Sequence, residues 1–263
     1  MKKIFIGLLT FCLMNLAIFA GDVAVFQEIG FSKDGKTYIF AEYGKQDKKF
    51  FPYGEIYTVD VAKNDFIPGK VFKVQDKSFT KASKTLFEEL YAKHYTEIKK
   101  YECYESQPED ILYVMEEESK GDTEEIVFKS FEESEYTYRV KLVPTFYTGK
   151  SSFVINVNVY DKEENLVLSY QAGTPSVKRP NVTKYKIVRI VQSKDKKSVV
   201  FVVEKRIEDA SGVSIRYMVE TKRLADRVDA VELNKTFPFQ AVNDAAYSRS
   251  LSTRLANASR WRL

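Results

Sequence analysis

Along most of this chain apolar and polar residues alternate, but one segment repeats every three to four positions and one forms a continuous apolar block. Alternation from Val23 to Val61 predicts an antiparallel meander with strands at Phe26–Phe31, Thr37–Tyr43 and Glu55–Asp60. Lys33-Asp34-Gly35 makes the first tight turn, with glycine where a positive φ is wanted. A polar loop through Gln46 and Asp47 leads to Phe51-Pro52-Tyr53. Between residues 83 and 101 the period changes. Leu86, Phe87, Leu90, Tyr91, His94, Ile98 and Tyr101 form the stripe of a core-facing helix, and Thr85 with Glu88 has capping-box spacing. Strand patterns resume at Ile111–Met115, Ile126–Phe131, Tyr136–Val143, Phe153–Tyr160, Leu166–Tyr170, Tyr185–Val191, Ser198–Glu204 and Ser214–Glu220, then stop after Leu224. The fold class that follows is mainly β (α+β): antiparallel hairpins with one substantial helix.

The apolar block lies at the start. Lys2 and Lys3 precede a run from Ile4 to Ala20, and polar Gly21-Asp22 follows. This is the pattern of a secretory signal, with cleavage expected after Ala20. Ile18 is bulkier than the residue preferred two places before a cut, and the run reaches the roughly 17 residues that can span a bilayer. An uncleaved anchor is therefore the rival reading. Either way the remainder works outside the cytoplasm, periplasmic or secreted, because Lys2 and Lys3 stay inside. Cys12 lies within the apolar run behind bulky Phe11, a poor setting for lipid attachment. The expected organisation is a leader at 1–20, a β-rich domain at 21–224 and a basic tail at 225–263.

An apolar content of 44% supports a real core. Outside the leader Cys103 is the sole cysteine, so packing rather than an internal disulfide must hold the domain. The net charge of +4 is misleading. Lys2 and Lys3 belong to the leader, and Arg249, Arg254, Arg260 and Arg262 to the tail; without these six charges residues 21–244 stand at −2. No basic stripe marks a nucleic-acid surface. Residues 102–135 carry thirteen acids against Lys120 and Lys129, read as solvated loops because calcium-loop spacing is absent. In the tail, Tyr247, Leu251, Leu255, Ala258 and Trp261 would share a helix face with Arg254 and Arg262, which spoils an amphipathic pattern. A frayed basic tail is favoured over a membrane-binding helix. Membrane association is accordingly expected only through an uncleaved leader or this tail.

Two stretches repeat. Ser32-Lys33-Asp34-Gly35-Lys36-Thr37-Tyr38-Ile39-Phe40 matches Ser193-Lys194-Asp195-Lys196-Lys197-Ser198-Val199-Val200-Phe201, and Glu42 and Glu204 follow. Lys196 stands where Gly35 stands, so the second turn could use another geometry. The first copy resembles blades of periplasmic TolB-type propellers, which carry Phe-Ser-x-Asp-Gly-Lys before a strand. A propeller needs about four or more blades, so blade-like half-repeats are expected rather than a closed ring. Gly30 to Lys36, Glu42-Tyr43-Gly44, Gln46-Asp47, Phe51-Pro52-Tyr53 and Glu55 to Asp60, with Val182 to Lys205 later, resemble an uncharacterised bacterial family of predicted secreted proteins. That resemblance implies export and one shared fold from about Gly21 to Leu224. It implies no reaction.

Candidate chemistry is sparse. His94, the one histidine, falls on the apolar stripe, which favours a core or boundary role and leaves a Ser-His-Asp triad without spare partners. Cys103 follows it by nine residues, too far for adjacent turns of one helix face. Glu42, Asp47, Glu55 and Asp60 are the candidates for a paired-carboxylate hydrolase acting on envelope polysaccharide. No phosphate loop or dinucleotide fingerprint occurs, and no cofactor, metal or catalytic residue is expected. The favoured reading is a non-catalytic envelope module that binds or scaffolds an envelope protein or glycan through Tyr43, Phe51 and Tyr53. The competing reading places those same rings in the core.

Overall fold

The computed structural model describes residues 22–46, 49–115, 125–129, 135–209 and 212–224. The leader, Asp47, Phe131 and the tail beyond Leu224 lie outside the described residues. In chain order the elements are β1 (Asp22–Val23), β2 (Val25–Phe31), β3 (Thr37–Gln46), β4 (Phe51–Asp60) and β5 (Asp65–Gln75), then α1 (Ser83–Ile98) and a 3-10 turn, Lys99–Tyr101. After a second such turn come β6 (Ile111–Val114), β7 (Ile126–Lys129), β8 (Thr137–Tyr147), β9 (Lys150–Tyr160) and β10 (Leu166–Ala172). The chain continues through β11 (Arg179–Pro180), β12 (Val182–Gln192), β13 (Ser198–Asp209) and β14 (Gly212–Arg223).

Among the described residues these strands form three sheets. The meander has the order β2-β3-β4-β5, the central sheet β1-β14-β13-β12-β6, and the outer sheet β10-β9-β8-β7 with β11 also on β9. β1 runs parallel to β14; every other strand pairing is antiparallel. The layers stack as helix, meander, central sheet and outer sheet. One core joins α1 to the meander through Ile39, Ala41, Ile56, Leu90 and Ile98. A second joins meander to central sheet through Phe31, Tyr38, Phe40, Val200 and Val202, and a third joins central to outer sheet through Val199, Phe201, Val203, Ile155 and Val157. Position in the stack accounts for each strand's pattern. β13 is covered on both faces and reads as unbroken Val-Val-Phe-Val-Val, whereas β9 alternates buried with half-exposed residues because one face is wet.

The repeat is structural. In the first turn Ser32 N–H bonds Thr37 O, Gly35 N–H bonds Ser32 O, and Asp34 Oδ1 accepts from Ser32 Oγ and Lys36 N–H. In the second, Ser193 N–H bonds Ser198 O, Lys196 N–H bonds Ser193 O, and Asp195 Oδ1 accepts from Ser193 Oγ and Lys197 N–H. Lys196 takes the same left-handed conformation as Gly35, φ 56° against 63°. The different geometry allowed for there does not occur. The two turns also touch, since Ser198 Oγ donates to Gly35 O at 2.6 Å.

One local reading needs correction, and one strand went unread. The capping box at Thr85 and Glu88 does not form, because the helix begins at Ser83 and Thr85 already lies inside its first turn. Ala82 is the N-cap without a side-chain bond, while Asp76 orders the preceding loop by accepting from the N–H groups of Ser78, Thr80 and Lys81. β5 gave no clear strand signal. It is an edge strand, carries Pro68-Gly69 and two lysines, and keeps much of its length exposed, so the usual edge-protecting residues blur its alternation.

Candidate functional site

α1 packs on β3, β4 and β5 and sits chiefly over β4, where Gly54 makes room: a Cβ there would lie 3.1 Å from the Phe87 backbone. The helix therefore lies away from β2, the edge strand. A groove of about 470 Å³ opens between them, floored by Gln27, Glu28 and Ile29. Its helical wall is Phe87, Tyr91, Tyr95 and Ile98, and the segment after the helix closes one side with Glu102, Cys103 and Glu105. That segment is pinned to β2 by paired backbone bonds between Phe31 and Tyr104.

Phe87, Tyr91 and Tyr95 recur every four residues and so share one helix face. Their rings form a continuous row that starts on β3. Tyr43 stacks on Phe87 at 5.3 Å, Phe87 meets Tyr91 at 6.1 Å, and Tyr91 meets Tyr95 edge-on at 6.0 Å. Tyr95 is 47% exposed at the open end.

The polar groups of the groove are held rather than poised. Glu28 is buried, accepts from Ser106 Oγ at 2.6 Å and pairs with Arg189 at 3.1 Å. The hydrogen bond and ion pair with Lys33 hold the Glu102 carboxyl below its ordinary range. Burial pushes the Cys103 thiol up to about 12 and raises the Tyr91 phenol. A thiol of that kind is protonated at neutral pH and is a poor nucleophile. What the groove offers is apolar and aromatic contact with a polar rim, and its volume falls within the range of ligand sites.

The residues singled out in the sequence, Asp47 aside, do not converge on the groove. Tyr43 faces the helix and begins the aromatic row. Phe51 is half-buried with its ring 5.1 Å from Phe79. Tyr53 lies on the opposite face from Tyr43, 1% exposed, with the Arg216 guanidinium 4.1 Å over its ring, and presents nothing to solvent. Among the carboxylates, Glu42 and Glu55 stand directly opposite each other on β3 and β4. Glu42 is 5% exposed, accepts from Tyr217 N–H at 2.9 Å, and has its carboxyl raised by burial. Glu55 pairs with Lys73 and accepts from the Tyr57 hydroxyl. Neither lines the groove, and Asp60 is engaged with Lys63. His94 stacks on Phe72 at 3.7 Å beside Glu97. Among the described residues no three His, Cys, Asp or Glu side chains are grouped to hold a metal ion. Sequence reasoning passed over Gln27, Ile29 and Tyr95. The four-residue spacing of Phe87, Tyr91 and Tyr95 was the available signal.

The family model described as "Predicted secreted protein (DUF2259)" matches residues 39–223. The chain belongs to this family. No curated protein matches it. Membership agrees with an exported chain of unknown function, and among the described residues no helix is long and apolar enough to cross a membrane. Within the DUF2259 match lie α1 with its aromatic row and the second Ser-Lys-Asp turn; β2, the groove's floor, precedes it.

Proposed function

We propose that this secreted chain is a non-catalytic binding module of the bacterial envelope, working in the periplasm, which holds an envelope protein segment or glycan in the groove between α1 and β2. The observation that carries the reading is the stepwise row Tyr43–Phe87–Tyr91–Tyr95, which delivers aromatic faces to an open groove. Such rings provide large contact area at low rotamer cost and are enriched at recognition surfaces. The neutral Cys103 thiol and the occupied carboxylates beside them favour holding a ligand over transforming it.

The test is capture from native envelope extract with the immobilised exported chain, run beside Tyr91→Ala and Tyr95→Ala. A protein or glycan recovered by the parent chain and lost with both variants supports the groove. Identical recovery by all three, or reproducible recovery of nothing, refutes it.

A further inference from the structure

Strands β8 to β11 of the outer sheet carry no acidic residue, unlike the acidic segment before them. No Asp or Glu occurs from Thr137 to Tyr160 or from Leu166 to Lys194. At one end of that sheet the β8–β9 hairpin projects Phe146 and Tyr147, which are 54% and 49% exposed. The loop before β11 brings Val177, 48% exposed, to the same end. Lys178, itself exposed, ties the two together: its Nζ lies 4.2 Å over the Tyr147 ring and donates to the Tyr147 hydroxyl at 2.8 Å, to Pro175 O at 2.9 Å and to Ser152 Oγ at 3.3 Å. Lys150, exposed, is the cross-strand neighbour of Tyr147. Arg179 does not add to this rim, because it is spent on Glu220 in the interior.

We propose that this tip docks the protein on an anionic phospholipid surface. Phe146, Tyr147 and Val177 enter the headgroup zone while Lys150 and Lys178 lie over the phosphates. Aromatic rings with a polar end settle at that depth, and lysines near a bilayer are drawn by its negative lipids. Size argues against a protein partner. Three half-exposed side chains supply on the order of 300 Å², well short of the roughly 800 Å² each partner of a stable protein interface buries. A bilayer accepts a small projecting tip. This contact lies on the sheet at the opposite end of the layer stack from α1 and is a route to the membrane separate from leader and tail.

The experiment is co-sedimentation of residues 21–263 with vesicles of phosphatidylcholine alone and of phosphatidylcholine with phosphatidylglycerol. Binding is expected to the mixed vesicles, to weaken with salt, and to fall about ten-fold in Phe146→Ser. Lys150→Glu is expected to lower it several-fold. Val127→Ser, equally exposed on β7 of the same sheet, and replacement of Arg249, Arg254, Arg260 and Arg262 by Gln should leave binding intact. Coincident thermal melts establish that the variants fold; if Phe146→Ser does not, Lys150→Glu decides. Equal binding to both vesicle types, no effect of Phe146→Ser and Lys150→Glu, or loss on tail substitution alone would overturn the proposal.

Discussion

Glu220 on β14 fastens three layers at one point, and removing its carboxylate should be among the costliest changes in the chain. Its side chain is 2% exposed and that of Arg179, 2.7 Å away, is 13% exposed. Arg179 precedes the outer-sheet strand β11's second residue, while Asn64, in the turn between β4 and β5, donates to the other carboxylate oxygen. Asn64 also accepts from Thr221 N–H at 2.6 Å, closing the network. Glu220→Ala leaves the Arg179 guanidinium without its carboxylate where water scarcely reaches, while the Asn64 amide keeps Thr174 Oγ1 as acceptor, and breaking one side of a buried pair costs about 3–5 kcal/mol. The Arg179 guanidinium keeps its place 4.7 Å over the Phe153 ring, which places the expected loss near 3 kcal/mol. At a urea slope of about 2–3 kcal/mol/M the midpoint then falls by about 1 M with the slope unchanged. Replacing both partners together, Arg179→Met with Glu220→Met, should destabilise less than Glu220→Ala, since no charge remains buried alone. A single-variant loss within about 1 kcal/mol, or a double variant as costly as its singles combined, would refute the clamp.

Gly30→Ala should be severely destabilising, because φ is 112° and a Cβ would stand 1.7 Å from Tyr104 O, forcing apart the bridge to Phe31; a urea titration should show a loss of about 3 kcal/mol or more. Lys196→Gly should stabilise by roughly 0.5–1 kcal/mol, the relief of left-handed strain offset by added freedom in the unfolded chain, read as a higher melting temperature. Cys103 should react with iodoacetamide at pH 8 about a thousand-fold more slowly than an ordinary thiol, followed by mass spectrometry, since its value is pushed from 9.0 to about 12. Burial raises the Glu42 carboxyl above 4.5, so its favourable contribution is full below that pH and is lost as pH rises through the raised value. The stability of Glu42→Gln relative to the parent should therefore climb over that window and then level off, measured by urea titration at a series of pH values.

Periodicity reaches as far as covalent neighbours do. It located α1, because every turn of a helix repeats the same burial requirement, and it located the repeated Ser-Lys-Asp turns, because their hydrogen bonds close within six residues. It also marked Ser198–Glu204, the first part of β13, as a strand, although not that both its faces would be covered. Only the tertiary structure decided what each face meets. Tyr43 and Tyr53 look alike in sequence, yet the pleat and the register of β3 on β4 turn one toward the helix and the other into the sheet interface. Glu42 and Glu55, thirteen positions apart in the chain, become cross-strand neighbours through that same register. The groove exists because α1 rests over Gly54 and leaves the edge strand uncovered, an outcome of packing between segments that no local pattern encodes.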